Sequence, residues 1–195
     1  MARTREFDSK DALTKAMSVF WKKGYFDTSI DDLVAATGVS RYGLYGEFGN
    51  KHGLFLAALD HYQNTIIESI FGTVEHPKAS LAEIRGFFSR LVKVSAQPAA
   101  KLGCLMCNSA SEVAPHEPET AQKIAAFRKR LSFSFRRALG NAVAKGELPP
   151  SFDIKREADF FVGIVHAASA LNRSGGGRKT VENMVSVALK TLEQR

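Results

Sequence analysis

The sequence predicts an all-α protein with an N-terminal helix-turn-helix and a larger helical domain behind it. Three observations carry this. Apolar residues recur at helical spacing, strand-like alternation is scarce, and two short capped segments meet at the turn Thr37-Gly38-Val39. Breaks at Gly24, Gly38, Asn50, His76-Pro77, Pro98, Pro115 to Pro118, Pro149-Pro150 and Gly175 to Gly177 divide about nine helices. With 195 residues, 45% hydrophobic and 24% charged, the chain makes one large domain or two small ones, and whole-chain disorder is excluded. Two cysteines cannot build a disulfide scaffold and fit a reducing compartment. The start MARTREFDSKDALTK lacks the apolar stretch of a signal peptide, and no run approaches the ~20 apolar residues that span a bilayer. A cytoplasmic chain with no membrane partner is expected.

The first helix opens at Asp8 or Ser9, carries Leu13, Ala16, Met17, Phe20 and Trp21 on one stripe, and closes at Gly24. Thr28 caps the second, and Asp31 three positions on completes a capping box. Leu33 and Val34 follow, and Gly38 stops it. Ser40 caps the third, with Val39 and Leu44 at staple positions, and that helix ends near Phe48. Asn50 caps a long fourth helix through Leu54, Phe55, Ala58, Leu59, Tyr62 and Ile66. The division is a helix-turn-helix domain over 1–50, a linking helix over 51–74 and a second domain over 75–195. The helix after Pro118 puts Ile124, Phe127, Leu131, Phe135, Ala138 and Ala142 on one face. Lys123, Lys129, Arg130, Arg136 and Arg137 lie opposite, and no acid occurs between Glu119 and Glu147. That is a solvated face or, more sharply, a site for an anionic partner. Ala158, Phe161, Val162, Val165, Ala168, Ser169 and Leu171 mark the next helix; Val181, Met184, Val185, Ala188, Leu189 and Leu192 mark the last. This antiparallel pair predicts a homodimer through a four-helix bundle, unless the stripes cover the chain's own core.

In a DNA-binding helix-turn-helix, the first helix crosses the phosphate backbone and the second puts its N-terminal side chains into the major groove. A plain corner between two helices has the same spacing. Charge does not choose between them. The net charge is +7, but residues 1–51 hold 8 Lys and Arg against 7 Asp and Glu. A nucleic-acid contact there depends on where charges sit, not on their sum.

The stretch TSIDDLVAATGVSRYGLYGEFGNKHGLFLAAL resembles the DNA-binding domain of TetR-family transcriptional repressors. Order and spacing match over about residues 8–60: the Thr entry, the Gly38-Val39-Ser40 turn, Leu44-Tyr45 and Phe48, then Lys51 and Leu54-Phe55. The resemblance implies a double-stranded, palindromic operator. It implies that Thr28 reaches a phosphate, that Arg41, Tyr42 and Gly43 face base edges, that Tyr45 reaches the backbone and that Lys51 pairs with a phosphate. Arg3 and Arg5 form an arm for phosphate or minor-groove contacts, or a frayed terminus. Gly46 and Glu47 depart from the family pattern, and Glu47 predicts modest backbone affinity. Beyond about Lys78 the resemblance is one of architecture, implying a helical domain for effector binding and dimerisation.

Fourteen Phe against four Tyr suit an apolar or aromatic effector. Phe88, Phe127, Leu131 and Phe161 are candidate lining residues, with Asn108 and His166 as polar groups. Packed core is the commoner fate of such rings. Cys104 and Cys107 form a C-x-x-C at a helix start, where the helix dipole stabilises a thiolate. The motif resembles a branch of the family that senses electrophiles or metals through cysteine. Two small buried residues one turn apart are the plainer reading. Zinc is not expected, because there is no second C-x-x-C and His116 is far along the chain. No phosphate-binding loop, dinucleotide fingerprint or nucleophile elbow is present, so neither a cofactor nor an enzyme is expected. A thiol oxidoreductase on the cysteine pair would need a βαβ context that is missing, and a helical adaptor for protein partners is a further alternative.

Overall fold

The computed structural model describes residues 8–193, and every regular element among them is helical. Helix α1 spans Ser9–Lys23, α2 Ile30–Thr37, α3 Arg41–Phe48 and α4 Lys51–Tyr62. A π turn, Gln63–Ile67, carries α4 without a break into α5, Glu68–Phe71. Then come α6 (Leu81–Val94), α7 (Leu105–Glu112), α8 (Pro118–Ala144), α9 (Ile154–Arg173) and α10 (Gly177–Lys190). Taking α4, the π turn and α5 as one rod gives nine helices among the described residues.

The caps follow local chemistry. Asp8 accepts from the amides of Lys10 and Asp11 at 2.8 and 3.2 Å. Ser40 accepts from Gly43 N–H at 3.1 Å, and Asn50 from Gly53 N–H at 2.8 Å. Each satisfies an N–H that the first turn leaves without a helical partner. Gly38 ends α2 in the left-handed region (φ 74, ψ 8), which lets α3 leave sharply. One expected cap moves by a residue. Ser29 and Asp32, not Thr28 and Asp31, form the capping box of α2. Thr28 is buried, and its hydroxyl donates to the Gly24 carbonyl.

Two aromatic cores organise the molecule. In the first, Phe20, Tyr25 and Phe55 pack ring against ring, with Leu33, Leu44, Leu54 and Leu59 buried around them. In the second, Phe71, Phe87, Phe88, Phe135 and Phe161 form a connected set of edge-on, tilted and stacked rings with centroids 5.0–6.0 Å apart. Each buried Phe contributes about 1.5–3 kcal/mol of transfer free energy. Helix α8 runs through this core and buries all six apolar residues of its expected face.

Four of the five residues on its basic face are engaged within the chain. Lys123 meets Asp60 at 2.6 Å, Arg130 meets Glu75 at 2.5 Å and Glu68 at 2.9 Å, and Arg136 meets Asp159 at 2.9 Å. Arg137 donates to the Glu75 carbonyl. The acids come from other elements, so these four side chains bind α8 to its neighbours, while Lys129 is exposed.

The stripes of α9 and α10 also turn inward. Ala158, Phe161, Val162, Ala168, Ser169, Val181, Val185, Ala188 and Leu192 are buried within the single chain. They pack against α6, α8 and each other, so these nine are covered within one chain, while Val165, Leu171, Met184 and Leu189 of the same stripes are half-buried.

Candidate functional site

The start of α3 is an exposed part of the helix-turn-helix. Arg41 and Tyr42 stand out, Tyr42 at 75% exposure, while Leu44 on the opposite face is fully buried. Arg41 is held 3.5 Å from Asp31 of α2. Gly43 and Tyr45 are half-buried at the edge of this face. An eight-residue helix with two glycines is intrinsically weak, so packing from beneath must hold it. Gly53 supplies that close packing: a Cβ there would lie 2.1 Å from the Phe48 carbonyl oxygen. The pattern of apolar spacing carries no trace of this contact.

Two of the expected phosphate ligands support the structure from within. Besides its hydroxyl bond, Thr28 directs its amide to the Tyr25 carbonyl. Lys51 donates to the Thr28 carbonyl at 2.7 Å and lies 4.5 Å from the Tyr25 ring centroid. Burial pushes its pKa down, against the opposing pull of Glu112 and Asp27. Lys51 thus ties the α4 start to the turn between α1 and α2. Arg3 and Arg5 lie outside the described residues.

A second feature lies behind the helix-turn-helix. A cavity of about 110 Å³ is bordered by α1, the α4–α5 rod, α6, α8, α9 and the segment before α7. Trp21, Tyr62, Ile66, Ile70, Phe87 and Leu91 line it, together with Cys104, Phe127, Leu131 and Asn172. Of the expected effector residues, Cys104, Phe127 and Leu131 are therefore in the wall. Phe88 and Phe161 are not, because both are consumed in the aromatic core. Asn108 and His166 face a different, wider cleft of about 890 Å³, with Lys23, Glu112 and Arg173. His166 leaves Nε2 buried without a hydrogen-bond partner. Burial and Arg128 push its pKa down. Trp21 and Ile66 were legible only as packing residues, and Asn172 gave no signal.

Cys104 is the N-cap of α7, and Gly103 before it has φ +66. A side chain at Gly103 would meet Asn108, Ser169 and Arg173, so the tight approach is real. The Cys107 thiol, the Tyr62 hydroxyl and the amides of Cys107 and Met106 all point hydrogen-bond donors at Cys104. They outweigh burial and hold its pKa at about 7. Burial and the adjacent sulfur push Cys107 the opposite way. No group of three or more His, Cys, Asp or Glu placed to hold a metal occurs among the described residues.

The domains are latched together. Trp21 Nε1 of α1 donates to the Gly103 carbonyl at 3.0 Å and meets the Tyr62 ring edge-on. Glu112, at the end of α7, accepts from Phe26 N–H at 3.1 Å, against Gly24. His52 of α4 lies 3.2 Å from the Thr120 hydroxyl of α8.

Comparison with known proteins agrees with both halves of this architecture. Residues 12–58 match the family described as bacterial regulatory proteins, tetR family, and residues 80–187 match the tetracyclin repressor-like C-terminal domain. The chain is 31% identical to the HTH-type transcriptional repressor ComR of Escherichia coli (strain K12), over 97% of this chain and 90% of that protein. It is 34% identical to the HTH-type transcriptional regulator YezE of Bacillus subtilis (strain 168), over 76% of each. Among solved structures it superposes on a cysteine mutant of the TetR family regulator CifR bound to 26-base-pair operator DNA. That match has a TM-score of 0.83 and 26% identity, covering 98% of each chain. A TetR regulator from Chloroflexus aurantiacus shares the fold with a TM-score of 0.84, over 94% of this chain and 93% of that one. No helix among the described residues is long and apolar enough to cross a membrane. With both its helix-turn-helix and its C-terminal domain matched in order, the chain belongs to the TetR family of transcriptional regulators.

Proposed function

We propose that the protein is a homodimeric repressor that leaves a palindromic double-stranded operator when a small apolar or aromatic effector fills the cavity. The observation that carries this reading is Trp21. It belongs to the helix-turn-helix domain, forms part of the cavity wall and is hydrogen-bonded to Gly103. An effector that presses on this wall favours a different seating of α1, and the population shifts away from the DNA-competent state. The operator complex of CifR, a protein of the same fold, supports the DNA half of the reading.

In this reading Arg41, Tyr42 and Gly43 meet base edges and Tyr45 meets the backbone. Thr28 sets the turn, and Lys51 offers phosphate the part of its ammonium not given to Thr28. The second copy packs on the outer faces of α9 and α10, where Phe160 and Val187 are 40% and 64% exposed. The protein acts as a regulator and not as an enzyme. Titration of its own upstream region at several salt concentrations tests this. Tyr42→Ala should relax sequence choice, whereas Lys51→Ala should weaken all sequences alike and flatten the salt slope by about one unit. Equal losses on operator and random DNA for Tyr42→Ala would remove that residue from base reading.

A second reading, sensing of electrophiles through cysteine, is favoured by the lowered pKa of Cys104 and its place in the cavity wall. The Cys104 thiolate would add to the β-carbon of an activated alkene in the effector: the C–S bond forms as the C=C π bond opens, and the proton the thiol gave up ends on the α-carbon. Alkylation of Cys104 near neutral pH, with release of operator, supports it. If Cys104→Ser responds like the wild type, or the thiol labels only on unfolding, the inducer is non-covalent.

A further inference from the structure

The cavity wall is hydrocarbon and ring with a few polar groups, and most of those are already engaged. Trp21 Nε1 donates to the Gly103 carbonyl. Ser169 Oγ accepts from Cys104 N–H at 2.8 Å. The Tyr62 hydroxyl is turned to Cys104. Asn172 is different. It is 8% exposed and lines the cavity from α9.

The orientation of its amide is fixed by chemistry. Ser95 spends its O–H on the Leu91 carbonyl at 2.9 Å. The Ser95 oxygen can therefore only accept from Asn172, and the Nδ2 of Asn172 donates to it at 3.0 Å. Ser95 lines an outer cleft and not the cavity, whereas Asn172 stands between the two and borders both. The amide oxygen lies on the side away from Ser95. It is buried without a hydrogen-bond partner. A buried acceptor left unpaired in an apolar wall carries a standing desolvation cost, and a donor brought by a ligand removes it.

We propose that Asn172 selects the effector: a single-ring aromatic molecule carrying one hydrogen-bond donor, whose ring fills the cavity and whose donor meets Asn172 Oδ1. This rests on the reading of the cavity as the effector site. The size follows from volume. At about 110 Å³ the cavity is of the order of the ~150 Å³ apolar void known to take benzene, so one six-membered ring is the natural occupant. The donor follows from the amide. A carboxylate or other acceptor would face Oδ1 with like polarity and is excluded from this pose.

Phenol and toluene are the probes, since they differ by a hydroxyl in place of a methyl at nearly equal size. Trp21 is the only tryptophan and lies in the wall, so its fluorescence reports occupancy of the full-length protein. Both probes should perturb Trp21. The ratio of the toluene Kd to the phenol Kd should fall roughly tenfold on Asn172→Leu, a hydrogen bond's worth of discrimination. An unchanged ratio overturns the role of Asn172 while leaving the cavity a binding site. No response to either probe, in fluorescence or calorimetry, overturns the effector-site reading itself and this inference with it. If Asn172→Leu loses its helical signal, the wild type decides. Its affinity for phenol, corrected for transfer of each probe from water to hydrocarbon, should exceed that for toluene roughly tenfold, and equality refutes the proposal.

Discussion

At the scale of single residues, most caps were readable because they act within three positions. Asp8, Ser40 and Asn50 each bond an amide two or three positions further along the chain. The cap of α2 was misplaced for an equally local reason. Thr28 and Ser29 are each followed three positions later by an acid, and sequence alone offers both. Tertiary contacts choose: Lys23 of α1 sits 2.6 Å from Asp32, and Lys51 takes the Thr28 carbonyl. Gly53 shows the converse, a residue whose importance no periodicity reveals. Gly53→Ala should cost roughly 1–3 kcal/mol, because the nearest obstacle is backbone and cannot swing away. It should also abolish operator binding through displacement of α3; thermal unfolding and a gel shift check the two effects. A pH effect arises from His166. Its pKa lies below the ordinary 6.5, so as pH falls through 6.5 the unfolded chain takes up a proton first. The stability gained from keeping this imidazole neutral is complete above pH 6.5 and is lost below it. His61, lowered by burial and by Lys10, adds to the same trend. Denaturant midpoints at pH 7.5 and 5.5 should differ less in His166→Gln than in the wild type.

At the scale of elements, periodicity told which face of a helix turns inward but not what it meets there. Phe127 and Phe161 occupy equivalent inward positions on α8 and α9. One borders the cavity and the other fills the ring stack, because the stack closes around Phe161. The same limit applies to the dimer surface proposed above. Val185 lies on an apolar stripe, yet α6 and α9 cover it within one chain. The outward face of α9 instead carries Phe160, Gly163, Ala167 and Ala170 at spacings of three and four. Gly163 is exposed in the middle of a 20-residue helix, with nothing within 4 Å of an added Cβ. A glycine there weakens the helix by about 1 kcal/mol relative to Ala, a cost that close approach of another helix offsets. Gly163→Glu should therefore leave the single chain folded but shift sedimentation from dimer to monomer and abolish operator binding. A dimer that survives the change moves the interface off α9.

At the scale of the whole molecule, the family fold was legible because its helix-turn-helix pattern spans contiguous residues. The coupling of its two domains was not, because Trp21–Gly103 and Phe26–Glu112 join positions more than 80 apart in sequence. Glu112→Ala removes the second latch. It should leave operator affinity within a few-fold of the wild type and blunt the response to effector; titration of the effector against the operator complex measures this. The α4–α5 rod adds a mechanical consequence. Its π turn, Gln63–Ile67, uses one residue more per turn than an α-helix, and Ile66 and Ile67 both border the cavity. The hydroxyls of Thr65 and Ser69 cling to the carbonyls of His61 and Ile66 around it. The rod thus carries a spare residue beside the void, like slack in a cable. A chain lacking Asn64 takes up that slack: it should fold with an unbroken α-helix from Lys51 to Phe71, bind operator, and no longer hear the effector.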